Sequence, residues 1–477
     1  MDMQKGKHQM SFVEQWELRA RFAYELSVMY GTEVPAYNTL VDVSNEVNRD
    51  HLASNGAQAE RLGDIKRITA ERHGAIRVGS PAEMRQVARV FGAFGMYPVG
   101  FYDLRDAAKA SVPVVSTAFR PVDRAELAKN PFRVFTSMLA ADDPRFFNEA
   151  LRAELKEFIG SRTLFPVHLL ELADQAAAEG GLQAEDAVQL LQLACASFKL
   201  SDDPVEHSWY KKLEEISAVA SDIGGVRSTH INHLTPRVLD IDELYTRMEA
   251  RGITMIDEIQ GPPAWAGPDI LLRQTSFRAL AEDRMFRYPD GSVAPGELRV
   301  RFGEVEQRGI ALTEKGRDLY DIMVAETDRR LAAGLGNGVR VDVARTVWEE
   351  HLPRTERELA LAGLAFFTYE LNAERAAQLG AAAVATQDIE ELITAGLVEI
   401  EPIVYEDFLP RSAAGIFQSN LTDEGSRDDA QAAASYNEES MSQILGAPVA
   451  NPYELYRKQQ EESLAALRTR LAELTTV

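Results

Sequence analysis

The stretch THINHLTPR (residues 229–237) decides how this chain is read. It is short, contains β-branched residues and carries two histidines, a pattern that suits a strand. Residues two apart in a strand share a face and residues three apart do not. His230 and His233 therefore point to opposite sides, and at most one of them faces a given cavity. An earlier stretch, ERHGAIRVGS (residues 71–80), selects between them. The pattern H-x-x-x-R-V runs from His73 to Val78 and again from His233 to Val238, an offset of 233 − 73 = 160. A second pair of motifs, TAFR (117–120) and TSFR (275–278), recurs at 275 − 117 = 158. Two separate motifs at almost one offset mark an internal repeat.

Each copy reads as β-α-β-β-β. In the first, a strand covers 73–79, and Ser80-Pro81-Ala82-Glu83 opens a helix, with Ser as N-cap, Pro at the first helical position and Glu at the third. Gly95 ends that helix, and strands follow at 97–102, 112–119 and 132–138. The second copy has a strand at 233–239, a helix from Asp240 to Gly252, and strands at 253–259, 271–277 and 298–307. One such unit cannot bury both faces of its sheet, whereas two side by side form a cupped sheet around a shared cavity. The expected class is α+β, in five segments: an N-terminal helical segment (1–67), the first repeat (68–139), a helical insertion (140–228), the second repeat (229–310) and a C-terminal helical region (311–477). In that last region, helices are expected at 312–335 and 343–379, a strand at 400–408, an active-site loop at 409–417, a polar surface stretch at 421–442 and a final helix at 453–474.

The chain of 477 residues is long enough for more than one core, and its 45% hydrophobic content is ordinary for a globular protein. A net charge of −23 argues against a nucleic-acid partner. A small anionic substrate is still allowed, since one or two arginines override the global sign locally. No apolar run is long enough to span a membrane, and residues 1–10 lack the apolar centre of a secretory signal. The single cysteine, Cys195, excludes an internal disulfide and a cysteine metal cluster. Together these features lead to the expectation of a cytoplasmic protein.

If the repeat is real, His73 and His233 occupy equivalent positions and meet at the cavity. Imidazole nitrogens suit Fe, Zn, Cu or Ni. A carboxylate on the last strand of the second copy completes a ligand set. RFGEVEQR (301–308) offers Glu304 and Glu306 on one strand face. Aligning Phe302 with Phe135 puts Glu304 opposite Ser137; Glu304 is the preferred ligand and Glu306 the alternative. Two histidines and one carboxylate leave positions open, as in non-haem Fe(II) oxygenases. Arg77 lies four residues after His73 on the same face and offers a bidentate fork to a substrate carboxylate; Arg237 holds the matching place in the second copy. His230 reads as a neighbour that orients a ligand. His8, His51, His168, His207 and His351 show no pairing. The small, apolar stretch 409–417 brings backbone N–H groups, the Ser412 hydroxyl and the Arg411 guanidinium, all donors for a substrate carboxylate.

Taken together, ERHGAIRVG, GMYPVGFYDL, STAFRP, NPFRVFTSML, THINHLTPR, RFGEVEQRGIALT and YEDFLPRSAAGIFQSNL resemble the 2-oxoadipate dioxygenase/decarboxylase (hydroxyglutarate synthase) family of the vicinal-oxygen-chelate superfamily, over residues 12–420. The resemblance implies a mononuclear Fe(II) on two histidines and a glutamate, which fall on His73, His233 and Glu304. It places Arg77 and Ser412 at substrate-binding positions. It implies conversion of 2-oxoadipate and O2 into 2-hydroxyglutarate and CO2, in lysine catabolism. Two competing readings are a metal-dependent isomerase or lyase of the same superfamily, which would consume no O2, and a non-catalytic carboxylate-binding module built on Arg77, which would hold no metal.

Overall fold

The computed structural model describes residues 12–56, 61, 67–68, 72–106, 112–336, 338–379, 388–420, 426–428 and 430–474. Residues 1–10, with His8, and part of the stretch 421–442 lie outside them. The chain enters on β1 (Phe12–Glu14) and the helices Gln15–Glu33 and Ala36–Asn55. Then come β2 (Arg72–Val78), the helix Pro81–Ala93, β3 (Tyr97–Asp103), β4 (Val114–Arg120) and β5 (Arg133–Leu139). Ser80 starts the helix by accepting a hydrogen bond from the Glu83 N–H at 3.3 Å. Gly95 ends it with φ at 64°, a left-handed conformation that costs glycine little.

A largely helical segment follows, holding β6 (Gly181–Gln183), which pairs with β1, and β7 (Val205–Glu206). Next are β8 (His233–Pro236), the helix Ile241–Ala250, β9 (Leu272–Ser276), β10 (Glu282–Arg287), β11 (Val293–Leu298) and β12 (Glu304–Arg308). Asp240 caps the helix, accepting from the Glu243 N–H at 2.9 Å. The remainder is mostly helical, with a hairpin of β13 (Phe367–Leu371) and β14 (Val398–Pro402) and a closing helix, Pro452–Leu474. Among the described residues, no helix is long and apolar enough to cross a membrane.

The sheet that matters runs β3-β4-β5-β2-β8. It continues past β8 through a bridge between Arg237 and Glu306, where the Val238 N–H donates to the Glu306 carbonyl at 2.8 Å. From β12 it reaches β9, with Glu304 opposite Ser276. β2 and β8 run antiparallel, His73 facing Thr235 and Ala75 facing His233. The two histidines are thus diagonal neighbours on one face, on either side of the Gly74–Leu234 pair.

Strand alternation separates two cores. Ile76, Val78, Val134 and Met138 face a core shared with the N-terminal helices. Ala75, Phe135 and Leu139 face the other, which also holds Phe302 and Phe408. Each such apolar side chain stabilises the fold by roughly 1.5–3 kcal/mol when fully buried. The polar residues His73 and Arg77 sit on this second face, and burying them has to be matched by partners.

Four expectations need correction. The strand at 253–259 is reduced to one isolated bridge, Met255–Phe277, with a second just beyond it, Gln260–Gln274. The strand at 298–307 is two elements: Leu298 ends the β10–β11 hairpin, and β12 begins at Glu304. The helical stretch 343–379 contains β13, because FTYEL finds a partner in VEIEP. The stretch 409–417 is not a loop but the start of a helix, Pro410–Asn420. Proline is tolerated in a helix's first turn, where its missing N–H has no partner to lose. Gly415 is no loop signal either: it lies inside this helix, beside the Gln260 side chain.

Candidate metal centre

β2, β8 and β12 bring His73, His233 and Glu304 together, with one ligand atom of each within 4.8 Å of the others. His73 Nε2 lies 3.2 Å from Glu304 Oε1, and His233 Nε2 lies 3.4 Å from Glu304 Oε2. All three side chains are almost wholly buried. The second nitrogen of each ring also has a close polar neighbour. His73 Nδ1 is 2.8 Å from Glu306 Oε2, and His233 Nδ1 is 3.0 Å from the Thr235 hydroxyl. Gln274 donates through Nε2 to Glu304 Oε1. Phe302 stacks on His233 with centroids 5.1 Å apart, and Phe408 meets His73 edge-on at 5.0 Å.

Burial pushes the His233 pKa down to about 4, with His73 and Arg77 adding to the effect and Glu304 opposing it. His233 is therefore neutral. In the tautomer a metal ligand needs, with the ring proton on Nδ1 toward the Thr235 hydroxyl at 3.0 Å, the Nε2 lone pair faces a carboxylate oxygen at 3.4 Å. Two acceptors in contact in a dry site are unfavourable unless a cation lies between them. For His73, burial acts downward but Glu306 and Glu304 outweigh it, and its pKa is raised. Metal bonds of roughly 2.1 Å at right angles put neighbouring ligand atoms about 3.0 Å apart. The observed 3.2 and 3.4 Å fit one divalent ion on this set.

Arg77 lies on the same face of β2 as His73 and is buried in an ion pair with Asp222, on the helix Ala218–Gly224. Asp222 also accepts from Asn232 Nδ2 at 3.0 Å and sits 3.1 Å from His230 Nε2. Burial would raise the Asp222 pKa, but His230 and Arg77 hold it at about 2. His230 thus belongs to the Arg77 network and not to the triad. Ser412 is buried in the first turn of the helix Pro410–Asn420. Arg411 next to it has a side chain 61% exposed and paired with Asp328 at 2.7 Å, so it lies outside the buried cluster. Arg237 is buried where β8 meets β12.

A charged framework that sequence reasoning missed holds the wall carrying Phe408. Arg120 clasps Asp407 at 2.8 and 3.0 Å, Arg133 meets Glu406 at 2.7 Å, and the Tyr456 hydroxyl donates to Asp407. Asp222 has no nearby motif that would flag it, and Asp407, though inside the run YEDFLPRSAAGIFQSNL, gives no sign there of its partner; each is recruited from far along the chain.

Comparison with known proteins places the chain as a whole. A family model described as 2-oxoadipate dioxygenase/decarboxylase matches residues 22–420. A relative of that name from Mycobacterium tuberculosis is 53% identical over 440 residues, covering 92% of this chain and 95% of its own. Another from Pseudomonas putida is 41% identical over 463 residues, covering 95% and 97%. Among solved structures, the hydroxyglutarate synthase of Pseudomonas putida in complex with 2-oxoadipate matches with a TM-score of 0.80 at 38% identity, covering 97% of this chain and 99% of that one.

Proposed function

The chain belongs to the 2-oxoadipate dioxygenase/decarboxylase family, and from that premise we propose that it converts 2-oxoadipate and O2 into 2-hydroxyglutarate and CO2 at one Fe(II) held by His73, His233 and Glu304. The observation that carries the metal assignment is the pair of imidazole Nε2 atoms closing on one carboxylate, at 3.2 and 3.4 Å. Bound there, Fe(II) supplies the O2 chemistry that an oxidative decarboxylation needs.

The protein's own groups bind, orient and exclude water. Glu306 and Thr235 stand 2.8 and 3.0 Å from the Nδ1 atoms of the two histidines, where each can take a ring proton and leave Nε2 free to donate to a metal. Arg77 offers positive charge on the same strand face as His73 and pairs with the distal carboxylate of the diacid. The buried hydroxyl of Ser412 is a further donor to the substrate. Phe302 and Phe408 wall the histidines with apolar surface and strengthen every charge interaction inside.

The cupped sheet is read as two β-α-β-β-β repeats. What supports this is the symmetric placement of His73 and His233 around the Gly74–Leu234 pair. The test is metal content after anaerobic loading with Fe(II). His73→Ala, His233→Ala and Glu304→Ala should lose the single bound iron while keeping a wild-type circular dichroism spectrum. Wild-type iron content in any of these variants would remove that residue from the ligand set.

A further inference from the structure

We infer that Glu306 and Arg308 are positioning residues, fixing the His73 ring for metal binding and tying the metal centre to the segment from Tyr405 to Phe408. This rests on reading His73, His233 and Glu304 as the ligands. Glu306 follows Glu304 on the same strand face but meets His73 at Nδ1, the nitrogen not in contact with Glu304, at 2.8 Å. Arg308 holds that carboxylate in a fork, Nε to Oε1 at 2.8 Å and Nη2 to Oε2 at 2.8 Å. Its remaining nitrogen, Nη1, donates to the carbonyls of Tyr405 at 2.8 Å and Asp407 at 3.0 Å. One guanidinium therefore spans β12 and the segment bearing Phe408, whose ring centroid lies 5.5 Å from the guanidinium carbon and 5.0 Å from the His73 ring.

His73, Glu306 and Arg308 are all at most 1% exposed. A buried ion pair is a weak source of net stability, since apolar residues of the same volume often do as well. This pair does something apolar residues cannot. A carboxylate held 2.8 Å from Nδ1 favours the tautomer with the proton there, which leaves Nε2 free to bind a metal, restrains the ring's rotation and makes Nε2 more basic. Because the same Arg308 holds two carbonyls of the 405–408 segment, the orientation of a ligand and the position of the aromatic wall depend on one side chain.

The test is a titration of the metal-free protein with Fe(II), without O2, together with the visible spectrum of the Co(II) form. Glu306→Gln keeps an acceptor opposite Nδ1 but loses the charge; its dissociation constant for Fe(II) should rise about tenfold to a hundredfold. The double variant Glu306→Leu with Arg308→Met removes both charges together and guards against a folding failure. It should weaken Fe(II) at least as much and shift the Co(II) spectrum, at an unfolding temperature close to wild type. Arg308→Lys, which cannot span all four acceptors, should raise KM for 2-oxoadipate together with the metal dissociation constant. Wild-type Fe(II) affinity in both Glu306 variants would overturn the positioning role. A folded wild-type protein that binds no metal would overturn the ligand assignment itself, and the positioning role with it.

Discussion

Phe408→Ala probes the aromatic wall and the metal centre at once. Phe408 is 4% exposed, and its ring lies 5.0 Å from those of His73 and Phe135 and 6.4 Å from that of Tyr102. Truncating a buried phenylalanine to alanine costs about 3–5 kcal/mol. Aromatic pairs contribute about 0.5–1.5 kcal/mol each beyond burial, which puts this site toward the upper end. An unfolding entropy of roughly 2.1 cal/mol/K per residue, over 477 residues, is about 1 kcal/mol per degree. The unfolding temperature should therefore fall by about 4–5 °C if the chain melts as one unit. The vacated space also admits water beside His73, so 2-hydroxyglutarate formed per O2 consumed should drop clearly below the wild-type ratio. Phe408→Leu, which keeps most of the volume, should fall between the two. Calorimetry and an O2 electrode with product quantification read these effects. An unfolding temperature within about 1 °C of wild type, with an unchanged product ratio, would refute the role given to this wall.

Arg77→Lys keeps a charge beside Asp222 but loses the planar fork; kcat/KM for 2-oxoadipate should fall at least about tenfold, as one charge-assisted hydrogen bond is worth, with iron content unchanged, and a wild-type value would end its substrate role. His230→Ala should keep its iron and raise KM, because His230 braces Asp222, while His233→Ala should lose the iron; the reverse pattern of metal contents would exchange their assignments. Arg411→Ala should leave selectivity for 2-oxoadipate over 2-oxohexanoate unchanged and cost less than about 1 kcal/mol of stability, since its ion pair with Asp328 is solvent-exposed. Loss of that selectivity would return Arg411 to the site.

Local signals in the sequence carried a good part of the fold. The caps at Ser80 and Asp240 start helices where their side chains accept from the third residue on. Alternation put His73 and Arg77 on one face and separated His230 from His233. It could not choose between Glu304 and Glu306. Aligning Phe302 with Phe135 matches Ser137 to Glu304, whereas the ladders pair Arg77 with Ser137 and Arg237 with Glu306, so on the proposed repeat Ser137 answers to Glu306. That is a slip of two residues, which leaves every side chain on its own face and so goes unnoticed by any argument from alternation. Geometry separates the two acids: Glu304 meets both Nε2 atoms and Glu306 meets Nδ1 of His73.

Long-range partners were illegible for a different reason. Asp222 lies 145 residues from Arg77, and Asp407 lies 287 residues from Arg120. Only the packed fold makes these pairs neighbours. The helix Pro410–Asn420 was hidden by its composition: proline and glycine punctuate loops more often than they occupy helices, and here one opens the helix and the other sits within it beside Gln260.

The most direct test of the central claim is the stoichiometry of one turnover by protein loaded anaerobically with one Fe(II) per chain, given limiting 2-oxoadipate and then O2. The account predicts that each molecule of 2-oxoadipate consumes one O2, releases one CO2 and yields one 2-hydroxyglutarate, and that the metal-free protein does none of this. A product that keeps all six carbons, or turnover that proceeds without O2, would contradict it.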